Sequence, residues 1–182
     1  MRSLARPFVL AFAVLSVSGF IARAQGPSKA PTPRSVVPEM VDFLTGRWSC
    51  QGKFATGKPI AATKEFHETL NGAWLAETHD DTPPSSYHAM TMWGTPRSGG
   101  FVAHIADNGG GMRRFVSAGG WKHDTITITR DTTLETPQFK GHYAEHFVYT
   151  HESATTFRMT YETQAGENPA WHMGDTMLCT KQ

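Results

Sequence analysis

Leu44-Thr45-Gly46-Arg47-Trp48-Ser49-Cys50-Gln51-Gly52 is the stretch whose reading decides the fold. It follows a short helical signal and opens a long series of segments with strand alternation. It also holds Cys50, one of two cysteines; the other, Cys179, lies three residues before the C-terminus. If these two pair, the first and last strands are neighbours, because only adjacent strands bring Cα atoms within disulfide reach. A sheet whose ends meet is a barrel. The alternative is two free thiols.

Upstream, Pro38 to Leu44 has the marks of a short helix. Pro38 suits its first turn, Met40, Phe43 and Leu44 share a face, and Gly46 can end it. Such a helix would plug one end of the sheet. Downstream, Trp48, Cys50, Gly52 and Phe54 alternate on one face. Thr63 to Thr69 and Trp74 to Thr78 flank Asn71-Gly72, a strong hairpin signal because both residues tolerate positive φ. Further segments follow at Tyr87 to Trp93, Phe101 to Ala106, Met112 to Ser117 and Lys122 to Arg130. Phe139 to Tyr149, Thr156 to Thr163 and Trp171 to Thr180 complete the series. About ten strands at short spacing, with no helical period after residue 46, predict an all-β fold, either an antiparallel sandwich or an up-and-down barrel. We expect an antiparallel up-and-down barrel with a short N-terminal helix.

The N-terminus reads as an address. Arg2 and Arg6 precede an apolar run from Pro7 to Ile21, and Ala22-Arg23-Ala24 is a small-x-small cleavage site. The expectation is a signal peptide over residues 1–24, cleaved after Ala24, and export to the periplasm or medium. Residues 25–35, with Pro27, Pro31 and Pro33, form a flexible tether, and 36–182 a single barrel domain. Losing Arg2, Arg6 and Arg23 lowers the 17 basic residues to 14 against 16 acids. The mature chain then lacks the basic footprint of nucleic-acid binding, and no segment is apolar enough to insert it into a membrane. In an oxidising compartment, Cys50 and Cys179 are most simply one structural disulfide.

Recognisable chemistry is sparse. Asn108 to Gly111 lacks the lysine and following hydroxyl of a phosphate loop, so it reads as a turn. No G-x-S-x-G elbow is present, and no catalytic residue is assigned. Nine histidines invite a metal reading. On a strand, however, His142 and His146 stand roughly 13 Å apart, too far for one ion. The others, His79 among them, show no ligand spacing and read as solvated surface groups. No metal and no cofactor is assigned.

More informative are polar residues on apolar strand faces. Glu145 shares a face with Tyr143, Phe147 and Tyr149, and Asp175 with Trp171, Met173, Met177 and Cys179. Arg113 and Arg114 are adjacent, so one must turn inward, and Arg114 sits with Met112 and Val116. A buried charge costs several kcal/mol (roughly) unless paired or hydrogen-bonded. Two readings stand. One is an internal Arg–carboxylate network; the other is a pocket holding a ligand's polar end while Tyr87, Trp93, Tyr143 and Trp171 cover its apolar body.

Gly46-x-Trp48 after a short helix, leading into an antiparallel series that reaches the C-terminus, resembles the calycin pattern of lipocalins, fatty-acid-binding proteins and nitrobindin-like barrels. Leu44-Thr45-Gly46-Arg47-Trp48 and Leu70-Asn71-Gly72-Ala73-Trp74-Leu75 look more closely like a family of small exported bacterial proteins of uncharacterised function. The resemblance covers roughly residues 38–182. It implies a barrel with Trp48 packed at its closed end and an apolar ligand inside. The haem-binding branch would place an iron-ligating histidine in the last strand, where His172 stands. The alternation turns His172 outward unless Gly174 marks a bulge.

The leading expectation is an exported, disulfide-closed barrel that binds a small, largely apolar molecule without transforming it. Tyr87, Trp93, Arg114, Tyr143, Glu145, Trp171 and Asp175 would form the site, with Trp48, Cys50 and Cys179 structural. The alternatives are a hydrolase, isomerase or cyclase using Glu145 or Asp175 as acid or base, a haem protein ligated by His172, and an envelope-interaction role needing no pocket. No oligomeric state is assigned.

Overall fold

Alternation from Trp48 onward resolves into a closed barrel. A computed structural model describes residues 38–96, 99–133, 143–165 and 170–182. The expected leader (1–24), the tether (25–35) and the 139–142 portion of the eighth strand lie outside the described residues, as does the Tyr143 side chain. Helix α1 (Pro38–Leu44) precedes β1 (Gly46–Phe54), β2 (Pro59–Thr69), β3 (Trp74–Asp81), β4 (His88–Gly94) and β5 (Phe101–Asp107). Then come β6 (Met112–Ser117), β7 (Thr125–Arg130), β8 (Tyr143–Ser153), β9 (Thr156–Ala165) and β10 (His172–Lys181). Each strand pairs with the next, and β10 returns to β1 to close the ring.

The seam forms where the two cysteines predict it. Cys50 stands opposite Cys179 in the β1–β10 register, and a disulfide joins them. Two residues on, Gly52 faces Met177. A Cβ at Gly52 would lie 1.8 Å from the Thr176 carbonyl oxygen, so only glycine lets the seam strands approach there. Closure leaves no edge strand in the ring, which removes the template for edge-to-edge aggregation.

The Asn71-Gly72 hairpin turns between Thr69 and Trp74 as expected, with those two residues paired and positive φ at Leu70, Asn71 and Gly72. Some strand ends differ from expectation: β2 starts at Pro59 rather than Thr63, and β3 runs on to Asp81 rather than Thr78. Strand β7 begins at Thr125 rather than Lys122. Lys122 and Thr125 hydrogen-bond each other at 2.9 and 3.0 Å, a tight turn that consumes the pairing groups.

One end is filled. Met40, Val41 and Leu44 of α1 are buried against Trp48, Phe66 and Phe157. The Trp48 ring meets Phe157 edge-on at 4.7 Å and Phe43 at 5.4 Å. Its Nε1 donates to the Leu44 carbonyl at 2.7 Å, satisfying the one polar atom of a fully buried indole. Lys181 Nζ donates to the Phe43 carbonyl at 2.9 Å, holding a helix C-terminal oxygen that has no partner within the helix.

Candidate functional site

Opposite the plug, the barrel encloses a half-open cavity of about 300 Å³. Phe54, Ile60, Ile105, Phe147, Met159 and Met177 supply its apolar surface. Beneath lie Trp93 and Tyr149, their rings edge-to-face at 5.1 Å. Two polar networks and one isolated carboxyl complete the walls.

The first network rises along β2 and β3. Alternation turns Ala62, Lys64 and Phe66 inward from β2, and Leu75, Glu77, His79 and Asp81 from β3. Lys64 Nζ donates to Glu77 Oε1 and, at 2.8 Å, to His79 Nδ1. An ammonium has only protons to give, so Nδ1 is the acceptor and the imidazole proton sits on Nε2. Nε2 then donates to Asp81 Oδ1 at 2.7 Å. Ser85 Oγ donates to Asp81 Oδ2 at 2.6 Å, and Trp93 Nε1 donates to Glu77 Oε2 at 2.8 Å. An unbroken chain thus runs from the floor to the mouth. Burial, with Lys64 adding to it, pushes the His79 pKa down against the opposing pull of Asp81 and Glu77. Burial pushes Asp81 up, but hydrogen bonds from His79 and Ser85 outweigh it and hold the carboxyl below its ordinary range.

The second network spans β5 to β9. Glu145 is fully buried. Its Oε1 accepts from Arg130 Nη1 at 2.9 Å. Its Oε2 accepts from the Tyr161 hydroxyl at 2.6 Å and from Arg113 Nη1 at 3.2 Å. Arg113 Nη2 also reaches Asp107 Oδ2 at 3.1 Å and the Tyr87 hydroxyl at 3.4 Å. Backbone amides of Gly109 and Gly111 donate to Asp107 Oδ1. Both oxygens of the buried carboxylate are therefore filled from within the chain.

Asp175 stands apart. It faces Tyr161 on β9 and Phe54 on β1 and lines the cavity. Its Oδ1 is sealed from solvent without a hydrogen-bond partner among the described residues. Burial raises its pKa to about 6, opposed by Lys64 and reinforced by Asp81.

Among the sequence-derived candidates, Tyr87 and Asp175 line the cavity, and Glu145 is buried behind it in the second network. Trp93 faces the interior too, but as floor, fully buried beneath the cavity. Arg114 is a correction. Arg113 lines the cavity, whereas Arg114 pairs with Asp131 beside His104, its cross-strand neighbour on the outer face. Phe115, fully buried, sets the parity of β6, and Met112, which suggested the reverse, is exposed. Trp171 is a second correction. The β10 register shifts between Met173 and Asp175, placing Met173 opposite Glu162 and Asp175 opposite Tyr161. That bulge breaks the alternation. Trp171 instead stacks outside on His146, with centroids 3.8 Å apart. His146 is consequently buried and bonded to Glu162, not solvated. The bulge at Gly174 also meets the condition set for His172, which pairs with Thr163 on the parity of Glu145, yet His172 sits exposed at the strand start and does not line the cavity.

Sequence reasoning missed Lys64, Glu77, His79, Asp81 and Arg113. Lys64 carried a signal, standing between Ala62 and Phe66 on one face. Strand β3 carried less, because Trp74, Ala76 and Thr78 read as a plausible inward face.

Ser85 is not set up as a nucleophile. Ser85, Asp81 and His79 are adjacent, but the hydroxyl donates to the aspartate rather than to the imidazole, so no base activates it. No group of three or more potential ligands assembles for a metal among the described residues.

No family model matches the chain, and no curated protein does. Among solved structures it is similar to redesigned beta barrels. One, mFAP1 bound to DFHBI, has 13% identity and a TM-score of 0.35, covering 78% of this chain and 97% of that one. The barrel b11L5F_LGL has 17% identity and a TM-score of 0.34, with 78% and 94% covered. EF1p2_mFAP2b bound to DFHBI has 14% and 0.36, with 77% and 94% covered.

Proposed function

We propose that this barrel binds one small, largely apolar molecule in its open end and does not transform it. The observation that carries the reading is the 300 Å³ cavity, apolar on most of its wall and bordered by two networks of charged groups that satisfy one another, with Asp175 outside both. A filled interior would have left only the outer surface for function. Such a volume lies at the small end of ligand pockets. We further propose that the chain is exported after cleavage behind Ala24 and belongs with small exported bacterial barrels of the calycin type. The Cys50–Cys179 disulfide supports an oxidising compartment. No helix among the described residues is long and apolar enough to cross a membrane.

A second reading, acid–base catalysis, has one favouring observation: Asp175 in the cavity with its carboxyl pushed up to about 6. Glu145, the other expected participant, is held by Arg113, Arg130 and Tyr161 and is poorly placed to exchange a proton. Haem ligated by His172 does not fit, because that residue is exposed and off the cavity wall.

Native mass spectrometry of protein purified from its own host tests the proposal. A small mass should accompany the wild-type chain and be absent from Ala89→Trp, which places an indole into the cavity. Circular dichroism reports whether that variant folds. A wild-type protein that carries nothing and binds no small apolar probe would sink the reading.

A further inference from the structure

The proposed cavity says something about the charge of what it holds. Its bases are already committed. Lys64 serves Glu77 and His79, Arg113 serves Glu145 and Asp107, and Arg130 serves Glu145. A ligand carboxylate or phosphate would have to displace a carboxylate that the barrel supplies itself. In the second network Glu145 occupies the position such an anion would take, bonded by two guanidiniums and a tyrosine hydroxyl.

The acids are not all committed. Glu77 receives Lys64 and Trp93, Asp81 receives His79 and Ser85, and Asp107 receives Arg113 and two backbone amides. Asp175 lines the cavity and receives nothing at Oδ1 among the described residues; that oxygen is covered, so a ligand meets the carboxyl at its other oxygen or after a turn about χ2. Among the described residues that line the cavity, Glu77, Asp81 and Asp175 also outnumber Lys64 and Arg113, and the Lys64-facing His79 is held toward its neutral form. The local field therefore favours an incoming positive charge, and a desolvated carboxylate forms a strong charge-assisted bond with an ammonium.

Resting on the binding reading above, we infer that the ligand is a small primary or secondary amine, its protonated nitrogen bound by Asp175 and its apolar body lying against Phe54, Ile60, Phe147, Met159 and Met177. A cavity of 300 Å³ holds roughly ten water volumes of about 30 Å³ each, the scale of one ring on a short chain. Groups that bear on Asp175 from its surroundings are Lys64 of β2, Asp81 of β3, Tyr149 of β8 and Tyr161 of β9; β1 contributes Phe54, which does not titrate.

Calorimetry with three matched probes tests this: phenethylamine, 2-phenylethanol and 3-phenylpropanoate, on the full chain at pH 7.5. The amine should bind at least about tenfold tighter than the alcohol, and the carboxylate weakest. Lowering the pH to 5 should weaken the amine about tenfold as Asp175 takes up a proton, with the alcohol as reference. Asp175→Asn should collapse the amine-to-alcohol ratio, and Asp175→Glu should retain its direction; thermal melts confirm that both fold. Alcohol binding equal to amine binding, tighter carboxylate binding, or a ratio untouched by Asp175→Asn would each overturn the amine assignment and leave the binding cavity standing. Failure of all three probes to bind would overturn the assignment together with the cavity reading for ligands of this size.

Discussion

The two ends of this barrel are built from the same alternating strands and solve opposite problems. At the plugged end, inward positions carry Trp48, Phe66 and Phe157, and α1 seals them. Packing there is aromatic, and the one polar atom of the Trp48 ring is capped by the Leu44 carbonyl. At the open end, inward positions carry Lys64, His79, Asp81, Arg113 and Asp175, and the space is left unfilled. Stability is concentrated where nothing can bind. Charge is concentrated where something can, at a cost offset by mutual pairing.

The largest expected effect lies at the plug. Trp48→Ala removes a fully buried indole and should cost about 3–5 kcal/mol in urea unfolding. A loss under 1 kcal/mol, roughly, would mean that the plug is dispensable and the contrast between the ends is weaker than drawn. Next is the seam. Replacing Cys50 and Cys179 together by alanine frees a separation of 129 residues and should cost about 2–4 kcal/mol. Chemical denaturation under identical buffer checks this, and the retained β1–β10 hydrogen bonds predict that the barrel still closes.

The smallest effect has the opposite sign. In the unfolded chain Asp175 ionises near 3.8, and in the barrel near 6. As pH rises between those values, the unfolded state releases its proton first, so the wild type loses stability through this group. Asp175→Asn should therefore gain about 1–2 kcal/mol at pH 7.5, after allowance for its partial exposure, and almost nothing at pH 4. His79 works the other way. Its folded pKa lies below 6.5, so acidification through that range favours the unfolded state, which binds the proton more readily. Urea curves from pH 4 to 7.5 should show the variant declining steadily on acidification, with the wild type flatter. A variant no more stable than wild type at neutral pH would remove the claim that Asp175 is a strained, unpartnered carboxylate.

How legible each end was in the sequence follows from the same contrast. At the plug, one apolar face per strand means that alternation reports direction, so Trp48 and the cysteine seam could be placed from residue types. At the mouth, both faces of a strand carry polar residues, and alternation loses its meaning. Strand β3 offers Glu77, His79 and Asp81 on one side and Thr78 and Asp80 on the other. The arginine doublet shows the same failure at its smallest. With Arg113 and Arg114 adjacent, parity rested on Met112 or Phe115, and only packing chose Phe115.

By itself, the sequence determined the class of fold, the strand series, the plugging helix and the closing disulfide. These depend on local period, turn chemistry and a pair of unique residues. Tertiary structure alone decided which polar residues meet inside. A bulge between Met173 and Asp175 sends Trp171 out while keeping Asp175 in. Barrel closure brings Glu145 under two guanidiniums and leaves Asp175 without a partner at Oδ1 among the described residues. Register and closure are long-range properties, and a slip of one residue reverses every side chain it touches.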